Sequence, residues 1–279
     1  MRKFSIYLDG TEYTLNGEAG IWFTNPEGLG VTFNFPMLDL RNGFFRTAVE
    51  DVIPQVPITG TLTFMRTLVT PEDNYGIFKG LLLAANVVEF AYTPDTTLTP
   101  VQYRIRVALD YLTKSEKNGN WLSCPVSFSP LTPWYRITTA VVPLAVTLDD
   151  ANVFKCEYTP YGDLGAAFVL EANGGTPQSV FAFNEAQTEV YGSFSIAASD
   201  VINTNGNYVL STRYEDCYAT HTAGGTTVDL VNIAMVNNAN EIFPRLRPRK
   251  KGIILVGYAS DTSKPTSIQA TFYNYYRSV

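Results

Sequence analysis

The sequence predicts a mainly β protein of two domains. Tyrosine and phenylalanine, 17 of each, stand beside a charged fraction of only 16%, and such rings favour strands over helices. Apolar residues alternate with polar ones over short runs, and glycine, proline and asparagine separate those runs as turns separate antiparallel strands. Only one segment carries a confident helical spacing. With 279 residues and 46% hydrophobic content the chain has apolar material for two packed cores. The expectation is an N-terminal domain over residues 1–136, a β-sheet with one α-helix and a protruding arm. An antiparallel β-sandwich over 137–279 follows it.

Phe4, Ile6 and Leu8 alternate ahead of Asp9-Gly10, and Tyr13 and Leu15 resume the pattern, which reads as a hairpin with a two-residue turn. Ile21-Trp22-Phe23 leads into a turn-rich segment at 25–30, and 31–35 alternates as a further strand. Between 35 and 57 the pattern weakens. Pro36, Asn42-Gly43, Pro54 and Pro57 punctuate a stretch that holds Met37, Leu38, Leu40, Phe44 and Phe45. Two readings fit it: an arm over about 37–55 that carries apolar groups to a neighbouring subunit, or a hairpin folded back on its own core.

Residues 58–65 alternate as a strand. Thr70-Pro71-Glu72-Asp73 then supplies an N-cap, a proline at the first helical position and an acid at the third. Tyr75, Phe78, Leu81, Leu82 and Ala85 recur every three or four residues, so a helix over about 71–85 is expected to lie on the sheet. Strands follow over 87–92, 102–109 and 121–127.

The two halves are joined at 128–136. Pro130 and Pro133 fix their own φ and bias the residues before them toward extended geometry, so no regular central strand runs through both. Trp134 and Tyr135 bring large apolar area with polar tips to this joint. Beyond it the chain contains only short strand-like runs. Turn signals at 173–175, 203–207, 224–225 and 237–238 divide them at the spacing of a two-sheet sandwich.

Reactive chemistry finds little support. His221, the only histidine, excludes any site that needs two imidazoles, and its neighbours at 219–225 read as a surface loop. Cys124, Cys156 and Cys217 are too widely spaced for a CxxC-type metal site and read as buried free thiols. The acidic pairs at 50–51, 72–73, 149–150 and 215–216 are neighbours in sequence, which does not set two carboxylates across a cleft, so solvated acids are expected. No metal, cofactor or catalytic set is assigned. A net charge of −6 argues against broad phosphate binding, and no apolar run is long enough for a membrane-spanning helix.

Arg245, Arg247, Arg249, Lys250 and Lys251 form the one basic cluster. Without interleaved aromatics they read as a contact loop facing solvent or an acidic neighbour in preference to nucleic acid. Aromatics at 272–276 fit either a sugar-stacking face or a last strand closing the sandwich core. A carbohydrate-binding module for host cell-wall sugar is therefore the alternative function.

The order of these features resembles the distal tail protein (Dit) family of long-tailed phages infecting Gram-positive bacteria. The likeness rests on Tyr7-Leu8-Asp9-Gly10, on Gly20-Ile21-Trp22-Phe23 followed by Gly28-Leu29-Gly30, and on Gly43-Phe44-Phe45. It continues through the strand at 58–64 and Tyr75-Gly76-Ile77-Phe78, and closes with 128–135. The resemblance implies a homo-hexameric ring of N-terminal domains with galectin-like C-terminal sandwiches, located at the distal end of the virion tail and assembled in the host cytoplasm. It implies that the ring joins the tail tube protein to the tail-tip or baseplate hub protein and to a receptor-binding protein. The arm would clasp the adjacent subunit, and no enzymatic residue is carried over.

Overall fold

The structure, a computed structural model, describes residues 2–29, 37–40, 43–46, 56–94, 101–115, 117–147, 150–202, 205–214, 216–231, 243–260 and 264–276. Of residues 37–40, 43–46, 137–141 and 198 it describes the backbone alone. The chain divides into two compact units, one ending in sequence at Trp134 and the other spanning Tyr135–Tyr276.

In the first unit β1 (Lys3–Leu8) and β2 (Thr11–Thr14) pair across the Asp9-Gly10 turn, with Leu8 opposite Thr11. Asp9 and Gly10 both have positive φ, 48° and 85°, as a two-residue turn that follows the strand twist requires. The Asp9 carboxylate also accepts the backbone N–H of Val87 at 2.9 Å, tying the turn to the segment after the helix. β3 (Ile21–Glu27) runs through Asn25-Pro26, which the sequence reads as a turn. It tolerates proline because it lies at the edge of the path β8-β10-β6-β3, with a register shift between Thr24 and Glu27.

β4 (Met37–Leu40) and β5 (Gly43–Arg46) pair only with each other. The strand expected over 31–35 lies outside the described residues, as do 47–55. β6 (Ile58–Met65) then leads to α1 (Pro71–Ala84), whose Thr70 cap accepts the Asp73 N–H at 3.2 Å. Tyr75, Phe78 and Leu82 are buried, but Leu81 is exposed, so the packed stripe is narrower than the sequence spacing suggests.

β7 (Val88–Thr93), β8 (Tyr103–Leu112), β9 (Lys117–Asn118) and β10 (Trp121–Pro130) complete the unit. The first part of β8 pairs with β7 and the second part with β10, so one strand serves two sheets. The sheets also approach at the other side. The Leu15 N–H donates to the Phe4 carbonyl at 2.9 Å, and the Leu15 carbonyl accepts from the Phe23 N–H at 2.8 Å. Phe4, Phe23, Phe90, Phe128 and Trp134 meet inside, while Phe64 meets Tyr75 and Phe78 of the helix.

The second unit is a sandwich, built from β11 (Trp134–Pro143), β12 (Ala145–Val146), β13 (Val153–Tyr158), β14 (Ala166–Gly174) and β15 (Ser179–Asn184). It continues with β16 (Val190–Ser195), β17 (Gly206–Thr212), β18 (Cys217–Ala223), β19 (Thr226–Asp229), β20 (Gly252–Gly257) and β21 (Ile268–Tyr276). One layer runs β19-β18-β17-β14-β21-β11 and the other β12-β13-β20-β15-β16. Phe168, Leu170, Tyr208, Leu210, Ala270 and Phe272 of the first layer share a core with Phe154, Val180, Phe194, Ile254 and Val256 of the second. Alternation along each strand puts those residues on one face.

Phe64 is wholly buried between α1 and the strands. Phe64→Ala is expected to lower the stability of the first unit by about 3–5 kcal/mol, read as a lower guanidinium midpoint. Thr70→Ala removes only the cap and is expected to cost about 1 kcal/mol.

Candidate functional site

The joint is built from both proline signals and one residue that the sequence did not single out. β10 ends at Pro130, and the Leu131 N–H donates to the Arg106 carbonyl at 2.8 Å. The Thr132 hydroxyl accepts the Arg106 N–H at 3.1 Å and donates to the Pro133 carbonyl at 3.1 Å, which fixes the bend. Trp134 packs edge-on against Phe90 in the first core, with centroids 6.3 Å apart. Tyr135 packs in the second unit, 5.9 Å from Tyr275 and 6.1 Å from Tyr273, with the Arg213 guanidinium over its ring. Consecutive side chains thus serve different cores with no residue of slack between them.

Three of the five basic side chains are engaged by their own chain. Arg245 donates through Nε to the Thr212 carbonyl at 2.9 Å, and its guanidinium lies 4.0 Å from the Tyr214 ring. Arg247 pairs with Glu189 at 2.7 Å and covers Tyr191. Lys251 reaches Glu157 at 2.6 Å and Glu185 at 3.1 Å, and Lys155 joins the same Glu157 at 2.9 Å. Arg249 and Lys250 are exposed. Aromatic partners absent from the local sequence are therefore supplied by distant strands. Between the basic residues, buried Leu246 exchanges two backbone hydrogen bonds with Ala166 and pins the loop to β14.

His221 departs from the loop expectation. It lies on β18, is buried, and its Nε2 is 3.0 Å from the Gly174 carbonyl. The turn falls later, at Gly224-Gly225, both with positive φ. Cys124 and Cys156 are buried, and burial pushes the Cys156 thiol up to about 11. Cys217 is instead exposed, its Sγ 2.9 Å from the Arg213 carbonyl and 3.4 Å from Arg245 Nη2.

Among the described residues no group of three or more His, Cys, Asp or Glu side chains is placed to hold a metal ion. No helix there is long and apolar enough to cross a membrane. Glu72 pairs with Lys117 and Asp73 with the Thr70 cap, which accounts for that acidic pair structurally. On the last strand Phe272 and Tyr275 are fully buried, so Tyr275 presents no face for a sugar ring. Tyr273 is half-buried beneath Arg213.

Among the described residues the features that stand out are surfaces: the paired strands β4 and β5, the bend at 130–134, the partly ion-paired loop and exposed apolar side chains on β3, β6, β10 and α1. The sequence profile described as "Distal tail protein, N-terminal domain" matches residues 6–131. Residues 6–131 of the chain thus carry a distal tail protein N-terminal domain.

The second unit lies beyond the matched distal tail domain, and likeness there is one of fold. A chain in the phage P2 baseplate, in its activated conformation with Ca, superposes with TM-score 0.66 at 14% identity, and each chain is covered over 100% of its length. The corresponding strontium structure gives TM-score 0.65 at 14% identity, also over 100% of both chains. The crystal structure of SPP1 Dit (gp 19.1), described as a paradigm of the hub adsorption apparatus in phages infecting Gram-positive bacteria, gives TM-score 0.61 at 10% identity. It covers 97% of this chain and 98% of its own. No curated protein matches at the level of sequence. The mainly β, antiparallel architecture of this chain is thus shared along its length with those solved phage proteins.

Lys251 and Lys155 hold the Glu157 carboxyl at about 2, below its ordinary 4.5. A depressed carboxylate contributes stability above 4.5 that is lost as pH falls toward about 2. Glu157→Gln is expected to melt below the parent near neutral pH, with the gap closing across that acid window in paired thermal melts.

Proposed function

We propose that this chain is the hub ring of a phage tail. Six copies form a closed ring through their first units, linking the tail tube protein on one side to the tail-tip or baseplate hub and receptor-binding proteins on the other. The observation that carries the reading is the distal tail domain over 6–131 within a chain whose fold matches baseplate proteins end to end. Its mechanism is interface geometry with no turnover, around a channel that lets DNA pass. In this reading the ring is assembled in the host cytoplasm and ends at the distal tip of the virion tail.

The segment at 37–55 serves as the arm that clasps the adjacent subunit, with Met37, Leu38, Leu40, Phe44 and Phe45 as its apolar contacts. What supports this is that β4 and β5 form a two-stranded sheet of their own, an element with little stability unless something covers it. A contact of roughly 1,600 Å² in total would be ordinary for such a ring. The second unit, galectin-like in this reading, uses the ion-paired loop at 245–251 as a surface for baseplate proteins.

Native mass spectra across a concentration series, with negative-stain images of the same samples, test the assembly. The expected result is a six-fold ring with a central hole. Deletion of residues 35–56 is expected to leave folded monomers that cannot close; intact rings from that deletion would refute the assignment of the arm.

A further inference from the structure

Two apolar patches lie on opposite sides of one layer of the first unit. On β6, Phe64 faces inward against Tyr75 and Phe78 of α1, so the neighbouring positions Thr63 and Met65 face the other way. Register places Trp121 opposite Met65 and Trp22 opposite Thr63, which gathers Trp22, Met65 and Trp121 on that outer face. Trp22 is 42% and Trp121 45% exposed. The outward positions of this stretch, Thr59, Thr61, Thr63 and Met65 on β6 with Trp121, Ser123 and Pro125 on β10, include no charged side chain, and β3 adds one, Glu27, at the end away from Met65. A charge-poor face centred on exposed tryptophans has the chemistry of a protein interface.

The second patch is the outer side of α1. Tyr75, Phe78 and Leu82 face the strands, and Ile77, Leu81 and Leu83 are exposed on the remaining surface, Leu83 at 65%. Gly76 and Gly80 lie among them, and a Cβ added at either would meet no atom within 4 Å. Glycine is the poorest helix former after proline, and nothing among the described residues requires it at these positions. A close approach from outside the chain explains both.

We propose that the α1 surface of one copy docks on the Trp22, Met65 and Trp121 surface of the next. The inference rests on the ring reading above and names the contact that closes it. The occupant is a second copy because the patches are unlike and complementary: one presents large flat rings, the other a low glycine floor between aliphatic side chains. Unlike patches on opposite sides of one unit pair head to tail, and such a contact closes into a ring when its rotation divides a full turn, as the six-fold reading requires.

The test uses the full chain with two variants, Gly80→Leu and Trp121→Lys, followed by native mass spectrometry. Gly80→Leu is expected to hold or raise the melting temperature, since leucine suits a helix interior, while shifting the ring-closure midpoint at least about 30-fold upward. Trp121→Lys is expected to give the same shift with an unchanged circular dichroism spectrum. Mixed together, the two variants retain one intact patch each and are expected to form a one-to-one heterodimer. Rings formed normally by either variant, or a mixture that stays monomeric, would overturn the docking while leaving the ring reading in place. A parent chain that stays monomeric at its highest soluble concentration would overturn the ring reading itself.

Discussion

The packing of both cores draws on two adjacent aromatic side chains, Trp134 in the first unit and Tyr135 in the second. Trp134 is held by Phe90 and Tyr135 by Tyr273 and Tyr275, so neither side chain can leave its place without opening a core. Thr132 supplies the missing backbone partner just before the bend, where two prolines remove donors that a continuing strand would need.

The charged groups follow a similar economy. In the sandwich Arg247 and Lys251 of the basic loop pair with acids of β13 and of the β15–β16 turn, so two of its five closely spaced cations are offset by their own chain. In the first unit the sheet face around Met65 carries hydroxyls and aromatics, with Glu27 the charge on its β3 edge. Such a surface loses little on desolvation, which suits lasting contact between proteins better than transient attraction of phosphate.

Legibility in the sequence varied with the range of the interaction involved. The Asp9-Gly10 hairpin and the Thr70-Pro71 helix start were readable because turns and caps depend on residues two or three apart. Asn25-Pro26 was misread as a turn because its tolerance in β3 depends on being at a sheet edge, which β6 decides from more than thirty positions away. His221 was misread because the threonines and alanines around it suit a loop as well as a strand. Its burial comes from β17 and the Gly174 carbonyl.

By itself the sequence determined the mainly β class, most turns, the single long helix and the family resemblance, since each is written in local periodicity or in an ordered series of short motifs. Tertiary structure decided which apolar residues serve as core and which remain outside. Leu81 and Leu82 are identical in composition, yet one is exposed and the other buried, because the strands meet only one side of α1. Likewise the basic loop carries no local sign of its ion pairs. The acids that meet Arg247 and Lys251 lie on β13 and in the β15–β16 turn, far earlier in the chain, and only the folded register brings those charges within a few ångströms.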